Sequence, residues 1–138
     1  MEAAGTMESI GESPRTESVL VVEDEDLVRM LVIETLEESG YRTIEASDAA
    51  SALTILETDA AIDLMITDVG LPGMNGQQLG EAALECRPGL KILFMTGYAP
   101  KSTLSDLSQL RPGMEVLNKP FSVELLASKV RAIMSAAA

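Results

Sequence analysis

Several residue types are scarce in this 138-residue chain: it has no histidine, no tryptophan, and only two tyrosines and two phenylalanines. The absence of His excludes a Ser-His-Asp triad, a Cys-His pair and an imidazole ligand for zinc. Acid–base or metal chemistry must therefore use carboxylates, lysines, hydroxyls and the backbone. With so few aromatic rings, Val, Leu, Ile, Met and Ala must fill the interior. The hydrophobic fraction of 46% is enough for one packed core.

Basic residues and cysteine are also scarce. Ten Lys and Arg face 22 Asp and Glu, which gives a formal net charge of −12. Such a surface repels nucleic acid and anionic membranes, so we expect neither as a direct partner. Cys86 is the single cysteine, which excludes an intrachain disulfide and favours a reducing compartment. No apolar run reaches membrane-spanning length and no signal-peptide pattern occurs, so we expect a cytoplasmic protein.

The length suits one globular domain. Residues 1–17 are polar and acidic without apolar periodicity, and we interpret them as a flexible arm or a linker. Residues 18–135 carry the patterns expected of the domain itself, and we expect 136–138 to be a frayed tail.

Between these ends, short apolar runs alternate with segments of helical period. Strands are predicted at 19–22, 41–46, 64–67, 90–95 and 114–118. Helices are predicted at 26–39, after the capping residue Asp48, across a segment with Leu79 and Cys86 on its inner face, at 101–110, and at the end of the chain, where Val123 and Leu126 are expected on the inner face. Asp26 is expected to cap the first of these helices. The pattern predicts an α/β fold with a doubly wound parallel sheet, and a mixed α+β layer is the less favoured alternative.

Four of the apolar strands end in polar residues suited to one task. These are Glu23–Glu25 after the first strand, Asp68 after the third, Thr96 after the fourth and Lys119 after the fifth. In a doubly wound sheet, functional groups gather at the carboxyl ends of the strands. Carboxylates from separate strands suit Mg²⁺, and an Asp can act as the nucleophile toward a phosphoryl group. Because phosphoryl transfer depends mainly on positioning and charge neutralisation, these residues fit that chemistry.

The chain resembles the receiver domains of bacterial response regulators over about residues 18–134. Four segments carry the resemblance, in order and each at a strand end: Val-Leu-Val-Val-Glu-Asp-Glu at 19–25, Asp-Leu-Met-Ile-Thr-Asp-Val-Gly-Leu-Pro-Gly-Met-Asn-Gly at 63–76, Phe-Met-Thr-Gly-Tyr at 94–98, and Asn-Lys-Pro-Phe at 118–121. The resemblance implies a flavodoxin-like sheet of five parallel strands in the order 2-1-3-4-5, with five helices.

The resemblance also implies a phosphoacceptor and a Mg²⁺ site. Asp68 would accept the phosphoryl group and ligate the metal. Asp24 would be the direct carboxylate ligand and Gly70 would contribute its backbone carbonyl. Glu23, where receivers most often have Asp, would act through a water molecule.

The remaining implied roles concern the phosphoryl group and the switch. Thr96 would contact the phosphoryl group and Lys119 would form an ion pair with it, next to a cis peptide bond between Lys119 and Pro120. Val116 occupies the position where many receivers have a Tyr or Phe that turns inward on activation, which Val cannot do. Tyr98 is the candidate to assume part of that role.

The segment 94–98 resembles a subset marked by Phe-Ala-Thr-Gly and a large apolar residue, found in single-domain regulators and hybrid histidine kinases. The implied partners are a histidine kinase or histidine phosphotransfer protein as donor, and a downstream output protein or fused kinase as receiver of the signal. We expect a monomer or weak dimer. The predicted output surface is formed by the helix at 101–110, the fifth strand and the last helix, with 97–110 as its mobile part. Self-dephosphorylation is expected to be slow, because Gly70 has no side chain to orient water and Tyr98 can shield the site.

Two alternatives use the same residues. A small Mg²⁺-dependent phosphatase or phosphotransferase could use Asp68 as its nucleophile, but such enzymes usually have a second acid close after it, where this chain has Gly70, and a cap insertion. A pseudo-receiver would bind partners without phosphorylation, yet it would not need Asp24, Asp68, Thr96 and Lys119 together. The sequence therefore predicts a two-component or phosphorelay signalling domain rather than an enzyme, either a stand-alone regulator or the receiver of a hybrid kinase.

Overall fold

The computed structural model describes residues 17–71, 73–96 and 114–136. Their strands and helices follow one another as β1 Ser18–Val22, α1 Asp26–Glu38, β2 Arg42–Ala46, α2 Ala49–Leu56, β3 Leu64–Asp68, α3 Gly76–Cys86, β4 Lys91–Thr96, β5 Met114–Asn118 and α4 Val123–Ala136. The predicted arm up to residue 16, the predicted helix at 101–110 and residues 137–138 lie outside the described residues. No helix in the described ranges combines the length and the apolar composition needed to cross a bilayer.

All five strands are parallel and form one sheet in the order β2-β1-β3-β4-β5. This is the predicted order 2-1-3-4-5, so the flavodoxin-like fold is confirmed and the mixed α+β alternative is wrong. Strands β1, β3 and β4 are almost entirely buried, as expected of continuous apolar runs covered by helices on both faces. The two edge strands, β2 and β5, are more exposed than these.

The sheet separates two hydrophobic cores, because successive side chains of a strand point to opposite faces. Leu20 and Val22 of β1 belong to the core that contains α2 and α3, whereas Val19 and Val21 belong to the core that contains α1 and α4. Phe94 and Met95 divide in the same way on β4. The sheet is therefore held from both sides, and its carboxyl edge is left for polar groups.

Capping residues account for several of the helix ends. Asp48 caps α2 by accepting a hydrogen bond of 2.7 Å from the Ser51 N–H, as predicted. Gly40 follows the end of α1 with φ of +98°, a conformation that favours Gly at the position after a helix. The predicted capping role of Asp26 is wrong: Glu25 is the N-cap of α1 and Asp26 is the first residue of the helix.

The inner faces of α3 and α4 are largely those predicted. Leu79 and Leu126 are fully buried. Two positions were predicted wrongly: Cys86, at the end of α3, is exposed, and Val123, at the start of α4, is 39% exposed. Both lie in the terminal turn of their helix, at the margin of the core.

Candidate functional site

Three carboxylates meet at the carboxyl edge of the sheet. Glu23 and Asp24 follow β1, and Asp68 is the last residue of the neighbouring strand β3. One carboxylate oxygen of each lies within 4.8 Å of the others. Glu23 is fully buried, Asp68 is partly buried and Asp24 is exposed. The group therefore runs from the interior to solvent, as a site open to a ligand requires.

Lys119, the residue after β5, reaches this group. Its Nζ donates to Oε1 of Glu23 at 3.2 Å and to Oδ2 of Asp68 at 3.4 Å. Its backbone N–H donates to the carbonyl of Thr96 at 2.7 Å, which ties the end of β5 to the end of β4. The peptide bond between Lys119 and Pro120 is cis, as the resemblance implied.

Burial and charge act against each other at these groups. Burial raises the pKa of Glu23, and Asp68 adds to this, while the hydrogen bond from the Glu25 N–H and the ammonium of Lys119 lower it; the pKa is raised overall. Burial lowers the pKa of Lys119, but attraction to Asp68 and Glu23 outweighs it and the pKa is raised. In an isolated ion pair the carboxylate pKa would fall. Here it rises because Glu23 is fully buried and must share one ammonium with Asp68.

Thr96 ends β4 at the same edge and is 3% exposed. The register pairs Asp68 with Met95 and Thr96 with Asn118, so Thr96 stands one residue beyond the partner of Asp68. The backbone thus brings the predicted hydroxyl to the edge that holds the carboxylates.

The loop after β3 is anchored to Asp68 by its backbone. The Gly70 N–H donates to Oδ1 of Asp68 at 3.2 Å. Gly76, the first residue of α3, donates its N–H to the carbonyl of Val69 at 3.0 Å. A Cβ on Gly76 would collide with the carbonyl oxygen of Asp68 and lie 2.9 Å from Cα of Val69. Helix α3 therefore starts directly against the backbone of the candidate phosphoacceptor.

Arg29, on α1, contacts the residues of the site and was not predicted from the sequence. Its guanidinium donates to the backbone carbonyl of Glu23 and to the carboxylates of Asp26 and Glu45. The hydrogen bonds that it donates to Glu45 and Asp26 raise its pKa, so the group remains a cation. An Arg three residues after Asp26 in an acidic turn was the available signal.

Of the two predicted switch residues, one belongs to β5 and the other follows β4. Val116 is half-buried in β5, pairs with Phe94 and packs against the core on the α2 and α3 side. Tyr98 lies outside the described residues.

The donor set fits a hard divalent cation. Carboxylate and carbonyl oxygens are the ligands that Mg²⁺ prefers, and it commonly takes one or two carboxylates. Among the described residues, the carboxylates of Glu23, Asp24 and Asp68 lie beside the ammonium of Lys119, and a bound cation would relieve their mutual repulsion.

Comparison with known proteins gives concordant matches. The family described as response regulator receiver domain matches residues 19–131. The response regulator receiver protein CpdR of Brucella abortus (strain 2308) is 33% identical over 119 residues, which cover 86% of this chain and 98% of CpdR. The sensor kinase CckA of the same organism is 35% identical over 119 residues, but these cover 85% of this chain and only 12% of CckA. A crystal structure of a response regulator receiver protein from Sinorhizobium medicae WSM419 is similar with a TM-score of 0.80 and 28% identity, covering 91% of this chain and 100% of that one.

Proposed function

Because the chain belongs to the response regulator receiver domain family, we propose that it accepts a phosphoryl group on Asp68 from a phosphohistidine donor and changes its affinity for a partner as a result. The observation that carries the proposal is the contact of Lys119 with both Glu23 and Asp68 beside the exposed carboxylate of Asp24. This arrangement provides a nucleophile, a cation beside it and further acidic oxygens at one open edge.

The transfer step uses the carboxylate of Asp68 as the nucleophile. One of its oxygens forms a bond to phosphorus while the P–N bond of the donor breaks, and the electron pair leaves with the imidazole. Lys119 attracts the oxygens of the incoming phosphoryl group, and Thr96 offers a hydroxyl hydrogen bond from the neighbouring strand end. Because Lys119 already contacts Asp68, the cation is in position before the donor arrives.

Asp24, Asp68 and the backbone carbonyl of Gly70 would hold Mg²⁺, which supplies neutralising charge for the phosphoryl oxygens when it is bound. We assign Glu23 an indirect, water-mediated role. Its Oε1 accepts from Lys119 and its Oε2 accepts from the Glu25 N–H at 3.0 Å, so both oxygens already have partners.

The switch and the setting of the domain are part of the same proposal. Phosphorylation would draw Thr96 toward Asp68 and alter the surface formed by the segment at 97–110, β5 and α4, with Tyr98 and Val116 contributing. CpdR, which this chain covers almost entirely, supports a stand-alone regulator, for which we propose a cytoplasmic location. CckA, of which it covers a small part, supports the receiver of a hybrid kinase. The donor would be a histidine kinase or a phosphotransfer protein in either setting.

Intact-protein mass spectrometry tests the phosphoacceptor. The native chain, Asp68→Asn and Asp59→Asn are incubated with Mg²⁺ and acetyl phosphate, with and without chelator. Asp59 is an exposed acid before β3, at the other end of that strand, and serves as the matched control. We expect one added phosphoryl group on the native chain and on Asp59→Asn, and none on Asp68→Asn or with chelator. An adduct that persists in Asp68→Asn would contradict the assignment, and no adduct from acetyl phosphate or from a phosphohistidine donor would favour the pseudo-receiver.

A further inference from the structure

We propose that Arg29 is a positioning residue for the metal site, because it holds the turn that carries Glu23 and Asp24 in the shape that binds the cation. The inference deepens the proposed function and rests on it, since it concerns the same Mg²⁺ site.

Arg29 connects three parts of the structure through one guanidinium. The side chain of a helical residue points toward the start of its helix, and Arg29 lies in the first turn of α1. Nη1 donates to the carbonyl oxygen of Glu23 at 2.7 Å, and Nη2 donates to Oδ1 of Asp26 at 2.7 Å. Nε donates to Oε1 of Glu45, on the neighbouring strand β2, at 2.9 Å. Only 15% of the Arg29 side chain is exposed, so the group is held rather than free in solvent.

Apart from Arg29, the Glu25 N–H closes the turn by donating to Oε2 of Glu23 at 3.0 Å. The N-cap of α1, Glu25, makes no side-chain capping hydrogen bond. Asp24, Glu25 and Asp26 are consecutive exposed acids, and their mutual repulsion favours opening of the turn. A planar guanidinium with several fixed donors can bind a carbonyl and two carboxylates at once, which a lysine ammonium cannot do with the same geometry.

The Glu23 carbonyl is the point where positioning has most effect. It lies between the buried strand β1 and the exposed Asp24, and the N–H of Glu23 already donates to the carbonyl of Ala46 at the end of β2. Arg29 binds the carbonyl of Glu23 and the side chain of Glu45, so it links Glu23 to β2 a second time. With both its N–H and its carbonyl bound, Glu23 has a fixed backbone orientation. This orientation sets the position of the Asp24 carboxylate relative to Asp68.

Positioning and simple electrostatics predict opposite effects on Mg²⁺ affinity. Arg29 is a cation close to a cation site, so a purely electrostatic influence means that removing its charge tightens Mg²⁺ binding. If Arg29 acts by positioning, removing it weakens binding, as replacement of groups that orient metal ligands commonly does by about 10-fold or more. The sign of the change therefore separates the two roles.

The experiment is a calorimetric Mg²⁺ titration without any phosphoryl donor, on the native chain, Arg29→Gln, Arg29→Lys and Arg42→Gln. Arg42 is an exposed residue at the start of β2, at the opposite end of that strand from the site, so its replacement removes one positive charge without touching the turn. We expect Arg29→Gln to weaken binding about 10-fold. We expect Arg29→Lys, which keeps the charge but not the fork, to weaken binding by a smaller factor, and Arg42→Gln to bind as the native chain does.

Amide hydrogen exchange in chelator gives a readout independent of the metal. The amide of Glu25, which donates to Oε2 of Glu23, is expected to exchange faster in Arg29→Gln than in the native chain, while the amides of β4 remain unchanged. Unchanged or tighter Mg²⁺ binding in both Arg29 variants, or exchange equal to that of the native chain, would overturn the inference and leave the proposed function standing. If Arg29→Gln does not fold, Arg29→Lys alone decides the outcome. Failure of the native chain to bind Mg²⁺ would overturn the metal site itself and this inference with it.

Discussion

The ion pair between Glu23 and Lys119 contributes both to stability and to the candidate site. The carboxylate of Glu23 is fully buried, and the side chain of Lys119 is 21% exposed. Burying a charge is costly unless it is paired, and removing one partner leaves the other uncompensated. The ammonium therefore supports the folded state as well as the chemistry proposed for Asp68.

We predict that Lys119→Ala destabilises the protein by about 2 kcal/mol in metal-free buffer, because it leaves the buried Glu23 carboxylate without a cation. Lys129→Ala is the matched control. Its ion pair with Glu115 has a similar length, 3.1 Å, but both side chains are substantially exposed, at 33% and 49%. Surface pairs of this kind contribute about 0.5 kcal/mol or less. Urea unfolding of both variants measures the loss of unfolding free energy. Equal losses would show that the buried pair of Lys119 and Glu23 contributes no more than a surface pair.

Gly76 allows α3 to begin against the backbone of Asp68, where even a methyl group has no room. We predict that Gly76→Ala lowers the free energy of unfolding by about 2 kcal/mol, the usual scale for overpacking, and slows phosphorylation by displacing Asp68. Gly89→Ala is the control, since a Cβ there meets nothing within 4 Å and its φ is not positive. Chemical denaturation and acetyl-phosphate labelling check the two effects. A Gly76→Ala variant as stable as Gly89→Ala would refute the close approach.

At the scale of the elements, the short helix α2 is capped at both ends. Asp48 accepts from the Ser51 N–H at its start. Arg87 donates to the carbonyls of Leu56 and Thr58 at its other end, at 3.0 and 2.7 Å. An eight-residue helix has little stability of its own, so these caps and its packing must hold it.

The cap at Asp48 predicts a specific pH dependence. Hydrogen bonds from the Ser51 backbone and side chain lower the pKa of Asp48 below its ordinary value of 3.8. The folded state then binds the proton more weakly than the unfolded state, so the stability it contributes is complete above pH 3.8 and is lost as the pH falls through the folded pKa.

We therefore expect the difference in unfolding free energy between the native chain and Asp48→Ala to shrink on acidification. Asp48→Asn caps without titrating, and its advantage over Asp48→Ala should not change with pH. Urea denaturation across the acidic range measures both differences. A native advantage that grows as the pH falls would contradict this sign.

The elements themselves could be predicted from the sequence, for a clear physical reason. Continuous apolar strands and helical periodicity directly reflect burial, so the predicted strand at 114–118 coincides with β5. The strand order came with the family resemblance, because composition does not say which strands are neighbours. Periodicity also indicates the inner face of a helix but not how far the neighbouring elements extend over it, which is why Cys86 and Val123 were placed in the core although they are exposed.

The candidate site was predictable where side chains meet side chains at strand ends. Glu23, Asp68 and Lys119 do come together. The spacing of Arg29 from Asp26 was visible in the sequence, but its hydrogen bond to the Glu23 carbonyl was not, because any residue carries such a carbonyl. The approach of Gly76 to the backbone of Asp68 was missed for the same reason.

At the scale of the whole molecule, the net charge of −12 makes the protein respond to cations in two ways. Any salt screens the general repulsion between acidic groups, whereas a bound ion stabilises only the folded state that forms its site. At a concentration 100 times its dissociation constant, a ligand of the native state adds about 2.7 kcal/mol.

We predict that Mg²⁺ raises the melting temperature more than NaCl at the same ionic strength, and that Asp24→Asn removes the excess. Differential scanning calorimetry of the two proteins in the two salts checks this. The same increase in both salts, or an excess that survives in Asp24→Asn, would exclude a specific ion at this carboxylate.

The sharing of one ammonium between two carboxylates also bears on how the proposed phosphorylated state could be imitated by substitution. Nζ of Lys119 lies 3.2 Å from Oε1 of Glu23 and 3.4 Å from Oδ2 of Asp68. Any new group at position 68 must therefore compete with the carboxylate of Glu23 for this ammonium. A phosphoryl group brings a charge of about −2 and three acceptor oxygens to that competition. Asp68→Glu brings a longer arm but no additional charge. We therefore expect Asp68→Glu to keep the conformation of the unphosphorylated protein rather than to mimic phosphorylation.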